Sequence, residues 1–304
     1  MNPITVSVCV FTYNYEKFLA QAIDSILSQK TSFDFEILIC DDCSTDTTLT
    51  IANNYLKDHP NKIKVLSNSI NQGGTKNWIR AIRACSGKYI ALIDGDDYFS
   101  SPNKLQKQFD ILESNEHYVL CFHSVDEKYD DAPELNKHVE FQKEIYTLAD
   151  FMENGWFVRT SSTFFKNGVI PKEIPEWVHE YPYRFDTILH VLLCLHGDAY
   201  NIKENLSVWR KHKKGMSFWL MRDFVKNAKQ KISLSMQLNA YTNNQYNKQS
   251  KRFQNNEKTI LLFYLLRHFK MWKYPLVFID CLLHINISMF FKFFKGKHHG
   301  IKSA

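Results

Sequence analysis

The feature that most constrains this chain is an apolar segment that runs directly into a cluster of acidic residues. Tyr89 to Ile93 form the segment, and three aspartates, Asp94, Asp96 and Asp97, follow within four positions. Such a run is typical of a strand buried in a parallel sheet. Ligands of open α/β sheets bind at the carboxyl ends of their strands. The sequence therefore predicts a ligand site with concentrated negative charge.

Neighbouring carboxylates repel one another unless a cation offsets their charge. Ligation by oxygen atoms alone suits Mg²⁺ or Mn²⁺, and substrate phosphates commonly complete the shell of such an ion. The pattern thus favours a divalent cation used in chemistry on a nucleotide. An acidic turn without a metal is the plain alternative for a short motif of this kind, so the other motifs must decide between them.

Three earlier apolar segments also end in polar residues. They are Thr5–Phe11 before Thr12, Tyr13 and Asn14; Phe35–Cys40 before Asp41 and Asp42; and Ile63–Leu66 before the turn Asn71–Gly74. Residues with near-helical spacing separate these segments, which predicts βαβ units and a parallel sheet with right-handed crossovers. Because the strand ends of such a sheet share one edge, we expect Tyr13, Asp41 and Asp96 to lie in one crevice.

The order and spacing of these motifs resemble the family 2 glycosyltransferases. The resemblance covers residues 4 to about 220 and includes the segments Thr12–Asn14, Asp41–Asp46, Asn71–Gly73, Asp94–Asp97, Thr160–Ser162, Asp186, His196–Gly197 and Trp209–His212. Two positions depart from the family pattern: Phe11 stands where many relatives have proline, and Cys43 where glycine or asparagine is usual. Neither change removes a side chain assigned to chemistry.

The resemblance implies an α/β fold of the GT-A type, with a single, mixed, mostly parallel sheet flanked by helices and a C-terminal helical appendage. Residues 1–220 are the predicted catalytic domain. Its first half, 1–116, is expected to bind the nucleotide sugar, and its second half, 117–220, the acceptor. Residues 221–304 form the predicted helical, basic and apolar C-terminal region.

The resemblance also assigns the metal site. Asp97, with Asp96 beside it, is expected to hold Mg²⁺ or Mn²⁺, which acts as a Lewis acid on the diphosphate leaving group. Asp96 is also expected to contact the donor ribose. His212 resembles a residue that reaches the metal or the diphosphate from a C-terminal loop. A surface histidine within a basic run is the alternative for His212.

Donor recognition is expected at the first two strand ends. The Tyr13 ring can stack on the base, for about 1–3 kcal/mol by analogy with base–aromatic stacking, or it is an ordinary strand-end aromatic. Asp41 can accept the N3–H of uracil, which favours UDP or dTDP over CMP or ADP. Loop hydrogen bonds are the alternative role for Asp42 and the favoured one for Asp46. The remaining predicted donor-binding residues are Thr12, Asn14, Asn71 and Gly73.

Asp186 is the predicted general base. From the residues alone, Asp186 is an aspartate at the start of a predicted helix, Phe185–Leu195, where a carboxylate is favoured by the helix dipole. The resemblance places the catalytic base there. Removal of a proton from the acceptor hydroxyl, with attack from the face opposite the nucleotide, inverts the anomeric centre. The expected reaction transfers a hexose or N-acetylhexosamine from a UDP-sugar, less favourably a dTDP-sugar, to a saccharide. A lipid-diphosphate-linked acceptor of surface-polysaccharide synthesis fits best.

The C-terminal region carries most of the positive charge. From Lys248 onwards there are eleven Lys and Arg residues and two acidic ones, in a chain with a net charge of +6. Its two apolar stretches, Thr259–Phe269 and Leu276–Phe291, are too short to span a bilayer, but apolar helices beside lysines are typical of an anchor on an anionic inner leaflet. A hairpin packed on the catalytic domain is the alternative. The polar segment Asn239–Asn256 is predicted to be a linker or an exposed loop, and no nucleic-acid motif accompanies the basic residues.

Seven scattered cysteines favour a reduced compartment, so the enzyme is expected in the cytoplasm, at the inner face of the membrane. Two other functions compete. A sugar nucleotidyltransferase would need a glycine-rich loop with arginine and lysine, and residues 4–20 contain no glycine or arginine. A non-catalytic sugar-nucleotide-binding protein would be expected to lack a carboxylate from the metal or base position, and none is missing. The absence of G-x-G-x-x-G after the first strand excludes a dinucleotide-dependent dehydrogenase.

Overall fold

The computed structural model describes residues 3–216, 222–268, 270–287 and 289. The described residues divide into two compact units. The first comprises residues up to 148 together with 156–212, and the second comprises 149–155 together with residues from 213 onwards. Every residue predicted to take part in chemistry lies in the first unit, while the division into domains at residue 220 stays a prediction.

A mixed sheet forms the first unit. Its strands within the described residues are β1 Val6–Thr12, β2 Phe35–Asp41, β3 Ile63–Ser67, β4 Tyr89–Asp94, β5 Tyr98–Phe99, β6 Tyr118–Tyr129, β7 Lys137–Val139, β8 Ile145–Tyr146, β9 Phe164–Lys166 and β10 Asp198–Lys211. The order along the sheet is β3-β2-β1-β4-β9-β6-β10-β5, with β7 beside β6 and β8 beside β10. The first four strands are mutually parallel, as predicted, and β9 joins them antiparallel to both β4 and β6.

The parallel strands are level at their carboxyl ends. Thr12 of β1 pairs with Asp41 of β2, and Phe11 pairs with Asp94 of β4. The turn after β4 lies close to β1: the Gly95 amide donates to the Phe11 carbonyl at 2.7 Å, and a Cβ on Gly95 would lie 3.2 Å from the side chain of Thr12. This register brings the first, second and fourth strand ends to one edge, as the sequence predicts.

Helices connect the strands and cover the sheet. Those of the first unit are α1 Leu19–Leu27, α2 Thr48–Asp58, α3 Gly74–Ala84, α4 Lys104–Ser114 and α6 Phe185–Cys194, while α5 Leu148–Asn154 belongs almost wholly to the second unit. The buried side of α1, including Leu19, Ile23 and Ile26, packs with Val8 and Val10 of β1 in the main core. Burial of each large apolar side chain contributes about 1.5–3 kcal/mol to the free energy of folding, and this contribution holds the layers together. The rigid sheet edge can then present polar side chains at fixed positions.

Strand β10 is the longest strand of the described sheet and runs parallel to β6. The sequence pattern did not reveal it, because its apolar residues do not alternate regularly. Trp209, Arg210 and Lys211 end the strand, and His212 follows directly. Strand β10 therefore places the Trp209–His212 motif at the sheet edge. In the sequence this motif lies more than a hundred residues after the acidic turn.

The second unit contains helices α7 Phe224–Tyr241, α8 Asn247–Arg267 and α9 Pro275–Leu283. Val225 and Ala228 of α7 pack against Leu261, Leu262 and Leu265 of α8. The prediction that Asn239–Asn256 is a linker is wrong. Most of it is helical, and its turn is tight because Asn243 and Asn244 adopt positive φ angles, a conformation that asparagine tolerates better than most residues.

Helix α9 exposes an apolar side. Trp272 and Leu276 are 87% and 81% exposed, and Ile279 and Leu283 are also exposed. The spacing of Leu276, Ile279 and Leu283 places them on one helical face. Within the described ranges, no helix combines the length and the apolar character that a membrane crossing requires.

Candidate active site

The acidic turn between β4 and β5 is the centre of the candidate site. Asp96 and Asp97 are both buried. One carboxylate oxygen of Asp97, Oδ1, accepts a hydrogen bond from the Arg210 amide at 2.9 Å. The other, Oδ2, is buried and has no hydrogen-bond partner among the described residues. A buried carboxylate oxygen without a donor is costly, and a bound cation would remove that cost.

Burial and mutual repulsion destabilise the charged forms of these carboxylates. Burial, followed by the charge of Asp96, raises the pKa of Asp94 to about 8. The same two causes, with a further contribution from Asp94, raise the pKa of Asp97 well above its ordinary value. A divalent cation favours the ionised forms of such groups. The oxygen-rich donor set fits Mg²⁺ or Mn²⁺, although among the described residues no group of three or more His, Cys, Asp or Glu side chains is arranged to hold a metal ion.

His212 belongs to this cluster and is not a surface histidine. Its side chain is only 7% exposed, and its Nε2 lies 2.9 Å from Oδ2 of Asp96. The ring packs against Phe18 at 4.6 Å between centroids and against the edge of Tyr15 at 6.2 Å. Burial, together with the charges of Asp96, Asp94 and Asp97, raises the pKa of Tyr15 well above its ordinary value. Tyr15 therefore faces the acidic turn as a neutral hydroxyl.

Arg210 fixes strand β10 against the acidic turn. Its Nε donates to the Asp96 carbonyl at 2.8 Å, and its two terminal nitrogens donate to Asp130 at 3.3 Å and to Gln21 at 2.6 Å. Sequence reasoning treated Arg210 only as part of a basic run and did not single out Tyr15 or Phe18. Alternation along a strand would have placed positions 210 and 212 on the same side, had β10 been recognised.

The loop after β1 is held by contacts to the loop after β2. Asn14 has a positive φ of 58°. Its side-chain Oδ1 accepts from the backbone amide of Thr45 at 2.8 Å, and its backbone amide donates to Ser44 Oγ at 2.9 Å. Tyr13 is 43% exposed beside this loop, and the Oγ1 of Thr12 is buried with no hydrogen-bond partner among the described residues. An exposed ring on a fixed loop is suited to stacking on a planar ligand.

Asp41 faces its own loop. It is fully buried, and its two carboxylate oxygens accept from the hydroxyl and the amide of Ser44. Asp42 holds the next loop, because it accepts from the amides of Gln72 and Gly73, each at 2.8 Å. Asp46 caps the start of α2 by accepting from the Thr48 amide at 2.9 Å. The loop role favoured for Asp46 is thus confirmed, and Asp42 holds a loop as well.

The Asn71–Gly73 turn lies at the edge of the site. Asn71 is exposed, and its Oδ1 accepts from the Gly73 amide at 3.1 Å. Gly73 has φ of 82°, a conformation that favours glycine. The amides of Gln72 and Gly73 are held by Asp42, so the turn is fixed while the Asn71 side chain stays exposed.

Asp186 lies in the first turn of α6, as predicted. Its Oδ1 accepts from the Thr187 amide at 2.7 Å. Burial raises the pKa of this carboxyl above its ordinary value, and the charge of Asp186 contributes to the raised pKa of Asp94. The structure thus brings Asp186 within electrostatic range of the acidic turn, although 89 residues separate it from Asp97.

Comparison with known proteins agrees with this architecture. A family model described as glycosyl transferase family 2 matches residues 7–169. An uncharacterized protein of Mycobacterium tuberculosis is 29% identical over 213 residues, which are 69% of this chain and 60% of the relative. The chain therefore spans about 60% of the length of the first curated relatives that it matches.

Two solved structures share the fold. S. aureus TarS 1-349 in complex with UDP has a TM-score of 0.54 at 18% identity, covering 88% of this chain and 72% of that one. The mannosyltransferase PcManGT from Pyrobaculum calidifontis, in complex with GDP-Man and Mn²⁺, has a TM-score of 0.54 at 16% identity, covering 78% and 67%. The predicted GT-A fold and the predicted family are both confirmed: the chain belongs to glycosyl transferase family 2.

Proposed function

We propose that this protein is an inverting, metal-dependent glycosyltransferase that moves a hexose or N-acetylhexosamine from a UDP-sugar to a saccharide acceptor. The observation that carries the proposal is the buried acidic turn, in which Asp96 contacts His212 and one oxygen of Asp97 has no hydrogen-bond partner among the described residues. Asp186 lies within electrostatic range of this turn. A cation site and a separate basic carboxylate are the two parts that such a transfer requires.

Asp96, Asp97 and His212 are the proposed ligands of Mg²⁺ or Mn²⁺. When bound, the ion supplies Lewis-acid stabilisation of the charge that develops on the departing diphosphate. Arg210 fixes the carbonyl of Asp96, so the turn keeps its shape while the donor binds. A solved structure with the same fold contains Mn²⁺ and a nucleotide sugar, which supports this assignment.

The proposed nucleotide site lies along the ends of β1, β2 and β3. The exposed Tyr13 ring stacks on the base, and Thr12, Asn14, Asn71 and Gly73 shape the surrounding loops. Asp41 is fully buried and bonded to Ser44, so it contacts a uracil only after the Ser44 loop moves to uncover it. The UDP complex of TarS, which has a similar fold, supports a uridine donor. Recognition of the base by Asp41 would depend on a rearrangement of the Ser44 loop.

The test is a panel of nucleotide sugars assayed for slow hydrolysis with and without Mn²⁺. We expect metal-dependent release of UDP from UDP-hexoses or UDP-N-acetylhexosamines, and weaker or no turnover of dTDP-, GDP- and CMP-sugars. A nucleotidyltransferase would instead release pyrophosphate from UTP and a sugar phosphate. Binding of UDP-sugars without any turnover, in the presence of saccharide acceptors, would point to the non-catalytic alternative.

The proposed acceptor is a lipid-diphosphate-linked saccharide at the cytoplasmic face of the inner membrane. The support is the exposed apolar side of α9, Leu276, Ile279 and Leu283, with the exposed Trp272 just before the helix, in a region rich in lysine and arginine. Apolar side chains beside basic residues bind the interface of an anionic leaflet. Membrane contact of the second unit would hold the enzyme where such an acceptor is found.

This membrane contact predicts that the full chain sediments with anionic vesicles. The triple variant Trp272→Ser, Leu276→Ser, Leu283→Ser should lose most of this binding, because these side chains provide the inserted apolar area. Raising the salt concentration should weaken the remaining binding, since each basic residue near the surface contributes about 1 kcal/mol that salt screens. The measurement is vesicle sedimentation at low and high salt.

Ile70→Ser is the matched control, because Ile70 is an exposed apolar residue of the first unit. Point variants are preferable to deletion after Tyr246, since that deletion removes the core residues of α8. Equal sedimentation of wild type and triple variant, or no sedimentation of the wild type at low salt, contradicts the membrane contact.

A further inference from the structure

Two indole rings enclose an arginine near the proposed base and outside the donor residues. The guanidinium carbon of Arg159 lies 4.2 Å from the ring centroids of both Trp156 and Trp209. The two indoles meet edge to face, with their centroids 5.4 Å apart. Both rings are only partly buried. An apolar surface is therefore open at the side of a fixed positive charge.

This stack lies within electrostatic range of the reaction centre. Burial lowers the pKa of Arg159, while the charge of Glu127, followed by those of Asp186 and Asp97, acts in the opposite direction. Trp156 also lies close enough to Asp186 to lower the pKa of its carboxyl. A molecule resting on the indoles would thus lie beside the proposed base, where the acceptor must bind.

The stack carries more positive than negative charge. Glu127 is buried, with its side chain only 3% exposed, and it accepts from Arg159 at 3.0 Å and from Lys137 at 3.2 Å. The Nζ of Lys211 lies 3.2 Å from the centroid of Trp209, and burial lowers the pKa of this amino group to about 7. The Nε of Arg159 has no hydrogen-bond partner among the described residues. Glu127 therefore pairs directly with two of these three basic side chains.

We propose that Trp156, Trp209, Arg159, Lys137 and Lys211 form an acceptor subsite for an anionic saccharide, one that carries a carboxylate or phosphate group near the reacting hydroxyl. This inference rests on the proposed glycosyl transfer. The accessible parts of the indoles contact the apolar face of a sugar ring, beside the cations that lie over them, and the cations bind the anionic group by charge-assisted hydrogen bonds. If the stack served packing alone, a single cation that neutralises Glu127 would be enough.

The test measures binding directly, by calorimetry on the full chain saturated with UDP and Mn²⁺ so that the donor phosphate site is filled. The probes are glucose, glucuronate and glucose 6-phosphate, which share a ring and differ in charge. We expect at least one anionic probe to bind about tenfold more tightly than glucose, as one charge-assisted hydrogen bond provides. Comparison of glucuronate with glucose 6-phosphate decides between a carboxylate and a phosphate.

The double variant Lys137→Gln, Lys211→Gln should lose this preference. Lys128→Gln is the matched control, because Lys128 is exposed and lies next to Glu127 in β6, where side chains alternate between the two faces; it should keep the preference. Equal affinity of the wild type for all three probes, or an unchanged preference in the double variant, overturns the subsite. Hydrolysis of nucleotide sugars by the wild type is measured separately, so a failure of glycosyl transfer itself is recognised independently.

Discussion

Asp97→Asn abolishes sugar transfer and the dependence of donor binding on Mn²⁺. The amide that replaces the carboxylate can still accept the Arg210 hydrogen bond through Oδ1, so the turn keeps its shape. It cannot offset the charge of a cation, which is the role proposed for the oxygen that has no partner in the described structure. We expect UDP-sugar affinity with Mn²⁺ to fall to its metal-free value. Calorimetric titration with UDP and Mn²⁺, together with transfer assays, measures both effects.

Asp110→Asn is the control for this variant, because it makes the same chemical change in an exposed residue of α4. It should leave both titration and turnover unchanged. The raised pKa of Asp97 also gives Asp97→Asn a diagnostic effect on stability. Without metal, a buried carboxylate that resists ionisation opposes folding near neutral pH, so the neutral variant should be at least as stable as the wild type. Near-normal turnover of Asp97→Asn at saturating Mn²⁺ would remove Asp97 from the metal site.

Asp186→Asn keeps donor affinity within about threefold but lowers kcat by about 10²–10⁴, the usual contribution of a general base. The Thr187 amide that holds Asp186 Oδ1 can also donate to an asparagine, so the start of α6 is preserved. The acceptor hydroxyl then has no group to take its proton. Single-turnover transfer, measured beside calorimetric donor binding, separates the loss of chemistry from a loss of affinity.

The pH dependence of transfer gives a second measurement on the same residue. A general base acts in its ionised form, and burial raises the pKa of the Asp186 carboxyl. The acid limb of the kcat profile should therefore lie at a higher pH than the ordinary aspartate value of about 3.9. In Asp186→Asn this limb should disappear from the residual rate.

Glu180→Gln serves as the control, and it also tests Glu180 as the alternative general base. Glu180 is exposed at the end of the short helix Glu176–Glu180, ahead of α6. We expect this variant to transfer sugar at the wild-type rate. If Glu180→Gln loses transfer while Asp186→Asn retains its kcat, the proton goes to Glu180 and the role proposed for Asp186 is wrong.

Local sequence pattern was enough to predict the parallel half of the fold and its acidic turn. Apolar runs such as Tyr89–Ile93 bury all of their side chains in a strand that is covered on both faces, and the polar residues after such a strand then lie at the sheet edge. The pairing of Thr12 with Asp41 and of Phe11 with Asp94 follows that expectation. The order of apolar and polar residues along the chain was therefore enough to predict the parallel half of the sheet.

The tertiary structure decided the partners of Asp41 and the course of the chain after α7. Asp41 was predicted to face a uracil, yet its carboxylate is fully buried and bonded to Ser44. Asn239–Asn256 was predicted to be a linker, yet α7 and α8 continue through most of it because they bury apolar residues against each other. A carboxylate or an asparagine has several possible partners within reach, and sequence pattern does not rank them.

The chain by itself determined which residues end the strands, and therefore that Asp94, Asp96 and Asp97 share an edge with Tyr13. Only the tertiary structure decided what completes that edge. His212 and Arg210 reach the acidic turn through β10 across 116 and 113 residues of sequence, and Arg159 lies between two tryptophans that are 53 positions apart. Hydrophobic periodicity reports the burial of neighbours along the chain. The pairing of distant strands depends on packing free energy summed over the whole sheet, which no local segment carries.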